Sequence, residues 1–375
     1  MAVAGPAGRA GILRRAAFGL AVALLALLAG PEPSRAATFT VTNLSDSGPG
    51  SLRAAILAAN ATLNVGGVPD RIEFTVAGVI TLVGALDPIQ EAVVIDGTTA
   101  PGYADRPVVT VTGAGALNDC VLVDADDVTI TALSIGNCQR GVVVTGARVT
   151  LSGNHVGVDA TGNVATLNLA AGIEFAAAAA DGVVTGNVVS GNSSRGILVA
   201  SDGIDITGNI IGLGRDGTTD LGNLFGIEFT AAAIGGQVGG TTAGARNIIS
   251  ANGGSDEGAG IRVLGDGVTI AAHLIEGNYV GTDQGGTAAR GNFIGVEVFD
   301  SSLTIGGANV ISGNTGDGIR ARCCLPVTIT GNVIGLAAGG ATALGNQGDG
   351  IDLDGAGHVV GGAAAGAGNV VSANG

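Results

Sequence analysis

One four-residue segment recurs eight times through this chain, and its spacing excludes most globular folds. It begins at Asn154, Asn187, Asn209, Asn247, Asn278, Asn309, Asn332 and Asn369, each followed by two residues that are mostly β-branched. The fourth position alternates Gly, Ser, Gly, Ser without exception. The unit is therefore a pair of turns: steps between like members are 55, 69 and 54 residues in the Gly series and 60, 62 and 60 in the Ser series. A period of this kind is read before any local structure, because it marks a stack of similar units.

A second series interleaves with the first. Gly141-Val-Val-Val, Gly172-Ile-Glu-Phe, Gly196-Ile-Leu-Val, Gly226-Ile-Glu-Phe, Gly260-Ile-Arg-Val, Gly295-Val-Glu-Val, Gly318-Ile-Arg-Ala and Gly350-Ile-Asp-Leu each supply one alternating segment. A third apolar run lies between them, such as Val128-Thr-Ile, Val149-Thr-Leu, Val268-Thr-Ile and Val327-Thr-Ile. Three short alternating strands per turn describe one coil of a parallel β-helix. Helical repeats need a 3.6-residue apolar period, which is missing. Propeller blades carry aromatic signatures, whereas Trp is absent and aromatics are 3% of the chain. With 69 glycines and few large side chains, the chain suits a narrow core of Val, Ile, Leu and Ala. The expected fold is an all-β, right-handed, single-stranded parallel β-helix.

Stacking in register converts each repeated residue into a column with a rise of about 4.8 Å. The Asn column then reads as a buried amide ladder, each amide bonding those above and below. In the glycine series the second and fourth residues point inward and the third outward. From Gly226 that outward column is Glu228, Arg262, Glu297, Arg320 and Asp352, with Glu174 extending it upstream. Opposite charges one rung apart favour the register and keep the surface polar. The same column could serve as a binding face.

Asp124, Asp126 and Asp127 form the densest acidic group, at a corner before the middle strand. Paired carboxylates there could bind Ca²⁺ or act as acid and base. Asp181-Gly182, Asp202-Gly203 and Asp266-Gly267 read as turns. His155, His273 and His358 fall in different columns, and nothing in the chain has metal-ligand or nucleophile spacing. No cofactor or metal is expected, Ca²⁺ being left open.

Residues 1–36 have the form of a secretory signal peptide: Arg9, Arg14 and Arg15, then the uncharged Ala16–Gly30, then Ser34-Arg35-Ala36 at the cleavage site. Cleavage after Ala36 leaves 12 arginines, no lysine and 30 acids, since four of 16 cations and one of 31 acids precede it. That net charge of −18 opposes binding to nucleic acid or an anionic membrane. No later segment is apolar enough to span a bilayer. In an exported chain Cys120 and Cys138, 18 apart, are placed for a rung-to-rung disulfide. Cys323 and Cys324 are adjacent, leaving free thiols, a vicinal pair or links elsewhere as alternatives.

Residues 37–95 are expected to form an N-terminal cap and the first coils, with Ser51–Asn60 as a short amphipathic lid helix, and residues 96–375 the repeats. Val371-Ser-Ala-Asn-Gly375 matches Ile311-Ser-Gly-Asn-Thr315, so the expectation is that the coil continues past residue 375.

Phe39-Thr-Val-Thr-Asn with Gly48-Pro-Gly-Ser-Leu-Arg-Ala-Ala-Ile resembles the N-terminal segment of exported bacterial β-helix proteins, often written C-S-L-R-E-A. Gly50 stands for its Cys and Ala54 for its Glu. Ile95-Asp-Gly-Thr-Thr-Ala-Pro-Gly-Tyr103 and the Gly-Asn-x-Ile-Gly…Leu-Gly-Asn blocks are similar to the same group. The resemblance covers the whole mature chain and implies the pectin-lyase-like superfamily, which includes pectate lyases, polygalacturonases and adhesins. The pectate lyase pattern implies acidic Ca²⁺ ligands, an Arg base and nearby cations; here only Arg140 and Arg148 lie near Asp124–Asp127. Of the polygalacturonase blocks only Asp126-Asp127 is echoed. The expectation is a non-catalytic extracellular or cell-surface module (stalk, adhesin or glycan-contacting surface), with a polysaccharide lyase or glycoside hydrolase as the alternative. Its expected partners are extracellular glycan or cell-surface components.

Overall fold

The computed structural model describes Met1 and residues 36–115, 118–269, 271–322 and 325–375. The signal-peptide segment and the Cys323–Cys324 pair fall outside these residues, apart from Met1 and Ala36. The described chain winds into a right-handed parallel β-helix of three sheets. A first sheet of twelve strands runs from Thr38–Val41 to Val359–Val360, a second of eleven from Gly78–Leu82 to Val370–Val371, and a third of nine from Val121–Val123 to Ile351–Asp354. Neighbouring strands are parallel throughout, as between Thr150–Ser152 and Val183–Thr185. Successive coils visit the first, second and third sheets in turn, so each strand pairs with its counterpart one coil away.

The interior is a set of apolar columns. Ile173, Ile197, Ile227, Ile261, Val296 and Ile319 stack from the third sheet, beside Phe175, Val199, Phe229, Val263, Val298 and Ala321. Each is fully buried, and burying an Ile or Phe contributes about 1.5–3 kcal/mol. Helix α1 (Leu52–Asn60) starts from an Ser51 cap whose hydroxyl accepts from the Ala54 amide. Its Leu52, Ala55, Ile56 and Ala59 join the same core and pack on the first coil.

One strand lies elsewhere than expected. Val268 is 80% exposed and lies in a loop, and the first-sheet strand of that coil is His273–Glu276. Register decides this: Ile275 pairs with Val238 below and Ile305 above, continuing the inward apolar column. The same register puts His273 level with Leu303 and, extended through Val327, with His358. Those two histidines therefore share a column position, contrary to the reading that all three differ.

The Gly/Ser alternation has a geometric cause. Gly157, Gly212, Gly281 and Gly335 adopt φ of 84°, 93°, 92° and 87°, and a Cβ on Gly212 would stand 2.0 Å from the Ser250 carbonyl oxygen. Only glycine tolerates that approach. Each Gly coil then throws out a hairpin, bridged at Val158–Ala165, Leu213–Asp220, Thr282–Ala289 and Leu336–Ala343. In the Ser coils the hydroxyl ties successive coils together. Ser190 Oγ donates to the Leu213 carbonyl (2.7 Å) and accepts from the Gly212 amide (2.8 Å), and Ser250 and Ser312 repeat the pattern.

The asparagine ladder is continuous from Asn154 to Asn369, with Nδ2 to Oδ1 bonds of 2.8 to 3.1 Å between successive coils. It lines the corner between the first and second sheets. A second ladder lines the corner between the second and third: Asn168, Asn192, Asn223, Asn252, Asn292, Asn314, Asn346 and Asn374, at 2.8 to 3.0 Å. The sequence reading missed it, although Gly-Asn pairs at 191–192, 222–223, 291–292, 313–314 and 345–346 carried the signal.

Candidate functional site

The outer face of the third sheet carries a column of charged side chains from successive coils. Strand pairing sets Glu228 beside Arg262, Arg262 beside Glu297, Glu297 beside Arg320 and Arg320 beside Asp352. Arg262 reaches Glu228 and Glu297, each at 3.5 Å. Arg320 is 3.9 Å from Glu297 and is held more closely by Asp317, at 2.7 Å. Asp352 pairs with Arg322 rather than Arg320.

Two features differ from the exposed ladder the sequence suggested. Glu228 and Glu297 have side chains only 3% and 11% exposed. Arg195, one coil before, bonds Glu228 at 3.0 Å, and the Arg262 guanidinium lies 4.6 Å from the Phe225 ring centroid and 5.4 Å from that of Phe299. These flat groups roof the carboxylates. Burial pushes the Glu297 carboxyl up, against the opposing pull of Arg262, Arg320 and Arg322. Glu174 does share the outward column, but Leu198 occupies the rung between it and Glu228 and interrupts the run of charges.

Glu174 belongs to a separate group at the first rungs of this face. The Arg140 guanidinium donates from Nε and Nη2 to the two oxygens of Asp119 (2.9 and 2.8 Å) and from Nη1 to Glu174 (2.8 Å). The triad borders a cleft of about 600 Å³ lined by Leu86, Pro88 and Leu122 together with the amides of Asn118 and Gln139. The backbone builds this edge firmly. Cys120 N–H donates to the Arg140 carbonyl (3.0 Å), Gln139 N–H to the Asn118 carbonyl (2.8 Å), and Cys120 and Cys138 are disulfide-bonded with Cα atoms 5.7 Å apart. Asp119, Arg195, Phe225, Asp317 and Arg322 escaped the sequence reading, and Arg140, expected near Asp124–Asp127, instead holds Asp119 and Glu174. Arg195 and Asp317 could have been found in the position just before each Gly of the second series.

Asp124, Asp126 and Asp127 sit at the opposite edge of the third sheet, where the chain turns into the first. Arg148, one coil on, forks onto both Asp127 oxygens (2.7 and 2.8 Å) and reaches Asp126 at 3.0 Å. That pairing draws the Asp127 carboxyl below its ordinary value. Asp126 also accepts from the Ala147 amide (2.8 Å), and Asp124 from the Thr145 hydroxyl (2.8 Å). Asp127 and Arg148 have φ of 57° and 55°, so the same left-handed corner repeats in adjacent coils.

The histidines lie elsewhere. His155 is buried on the outside of the second sheet, its Nδ1 3.1 Å from the Asp159 carbonyl, while His273 packs inside against Phe229 with centroids 4.3 Å apart. Burial pulls both imidazoles below their ordinary value. His358 Nδ1 accepts from the Val327 amide (3.1 Å). Among the described residues no group of three or more His, Cys, Asp or Glu is placed to hold a metal, and no helix is long and apolar enough to cross a membrane.

No known family model matches the chain, and no characterised protein matches it in sequence. Solved structures do match in fold. An alginate lyase from Paenibacillus sp. str. FPU-7 superposes with a TM-score of 0.53 at 14% identity, over 84% of this chain and 99% of its own. The Dettilon tailspike protein gives 0.54 at 14% identity, over 91% of this chain and 60% of its own. The pectate lyase Pel9A gives 0.50 at 13% identity, over 87% and 79%. At these identities the likeness is one of fold, the parallel β-helix.

Proposed function

We propose that this chain is a non-catalytic extracellular β-helix module that contacts glycan along the outer face of its third sheet, with the cleft beside Arg140 as its principal subsite. The observation that carries the reading is the state of the carboxylates. Asp126 and Asp127 are engaged by Arg148, Asp119 and Glu174 by Arg140, and Glu228 and Glu297 by Arg262. A hydrolase needs two carboxyl groups converging on a reacting bond, one of them available to exchange a proton, and a lyase of the pectate type needs carboxylates free to take Ca²⁺. Carboxylates paired with guanidinium serve instead to hold side chains in place on a flat surface.

The cleft supplies what saccharide recognition uses: an apolar floor, planar amides and fixed charged acceptors in a volume suited to a small ligand. The fold neighbours include proteins named for alginate and pectate, which supports a glycan-related role without transferring their chemistry. Residues 1–36 would deliver the module outside the cell.

The test pairs a glycan array with activity screening of purified protein against polyuronides and neutral glycans, with and without Ca²⁺. Binding without release of unsaturated or reducing ends is expected. Release of such ends, abolished by Asp126→Ala or Asp127→Ala, would make the chain an enzyme and reverse the reading.

A further inference from the structure

The cleft is electrically one-sided. Two carboxylates, Asp119 and Glu174, face one guanidinium, Arg140, leaving a net charge of −1. Three of the five N–H donors of Arg140 are already committed, to Asp119 Oδ1 and Oδ2 and to Glu174 Oε1. Among the described residues the rest of the lining brings no second cation: Ala85, Leu86, Pro88, Leu122 and Ala170 are apolar, and Asn118 and Gln139 are neutral.

An anionic sugar meets two obstacles here. Its carboxylate finds only the two N–H donors of Arg140 that Asp119 and Glu174 leave over, beside both of those carboxylates, and it would add a second uncompensated negative charge. All three charged side chains are one-third exposed or less, so like charges are only partly screened. A cation meets neither obstacle, since Glu174 and Asp119 retain acceptor lone pairs that Arg140 does not occupy. The outward column entering the cleft is Leu122, Val143, Glu174, which sets an apolar step against a sugar face with a carboxylate beyond it.

We infer that this subsite selects an amino sugar carrying a free ammonium group, and rejects uronates. The inference rests on the glycan-contacting reading and specifies its ligand. The ammonium donates to Glu174 and Asp119 and restores neutrality around Arg140. The pyranose ring lies on Pro88 and Leu122, and its hydroxyls meet the amides of Asn118 and Gln139.

Calorimetric titration of the intact protein with a glucosamine tetrasaccharide, its fully N-acetylated counterpart and an oligogalacturonate of equal length tests this. Mildly acidic pH keeps the amines protonated. The glucosamine oligomer is expected to bind about tenfold or more tighter than the acetylated one, because one charge pair at partial burial is worth about that much. Raising the salt should narrow the gap. Glu174→Gln should lose about tenfold for the aminated ligand alone, with Asp119→Asn as the second variant should the first misfold. Equal binding of the acetylated oligomer, or preferred binding of the uronate, would overturn the charge assignment and leave the glycan reading standing. Failure of all three to bind would overturn both.

Discussion

Asn247→Ala is the sharpest test of what holds successive coils together. Asn247 is fully buried, and its side chain makes four hydrogen bonds. Oδ1 accepts from the backbone N–H and Nδ2 of Asn209 (2.9 and 3.0 Å), and Nδ2 donates to Asn278 Oδ1 (2.9 Å) and the Ile206 carbonyl (2.7 Å). Alanine leaves the Asn209 N–H buried without its acceptor, a cost of about 1–3 kcal/mol, and removes three further bonds of about 0.5–1.5 kcal/mol each. Asn209 Nδ2 keeps the Val184 carbonyl and Asn278 Oδ1 keeps the Asn247 N–H, so the sum falls toward about 4 kcal/mol. In a stack where each coil touches only its neighbours the damage stays local. Amide hydrogen exchange should therefore accelerate about a thousandfold for residues 209–211, 248–249 and 279–280, that being the opening equilibrium equivalent to about 4 kcal/mol. Exchange in the first coils, at residues 72–74, should not change. A local acceleration below tenfold would refute the claim that the ladder, rather than the apolar columns alone, holds these coils.

Two further outcomes follow from the same geometry. Gly212→Ala should lower stability by at least about 2 kcal/mol in urea unfolding, because left-handed backbone strain is compounded by the Ser250 carbonyl 2.0 Å from the new Cβ. Gly235→Ala, at φ 68° with open space around it, should cost only about 1 kcal/mol. Asp216 is held down to about 2: burial opposes the shift, but the Thr219 hydroxyl and amide and the Thr218 amide outweigh it. A depressed carboxyl stabilises the fold above its unfolded value near 4, and that stabilisation is lost as pH falls through about 2. Asp216→Asn should accordingly lower the thermal midpoint at neutral pH, with the gap to the parent closing toward pH 2. A midpoint near 4 for Asp216 in an NMR titration would refute this.

The coils were legible because repetition carries its own geometry. Three apolar runs per repeat, an invariant Asn and an alternating Gly or Ser imply stacked strands whatever the loops do, and the observed sheets follow those runs. The failures were of two kinds. Val268-Thr-Ile looks like its counterparts, yet the strand forms five residues later, at His273–Glu276, because pairing with Val238 and Ile305 outranks local resemblance. At the candidate site, Glu228, Arg262, Glu297 and Arg320 could be placed in one column from spacing alone, while their partners could not.

By itself, then, the sequence determined the architecture: a parallel β-helix with a two-coil period, an asparagine ladder at one corner and an alternating outward column on one sheet. Tertiary structure alone decided which charges meet. Arg140, Arg195 and Asp317 enter the outer face from neighbouring positions, Leu198 breaks the column between Glu174 and Glu228, and Arg148 closes over the acids of an adjacent coil. The physical reason is reach. Backbone register repeats with the sequence and can be counted from it, whereas a guanidinium on a long flexible stem chooses among several carboxylates according to packing around it.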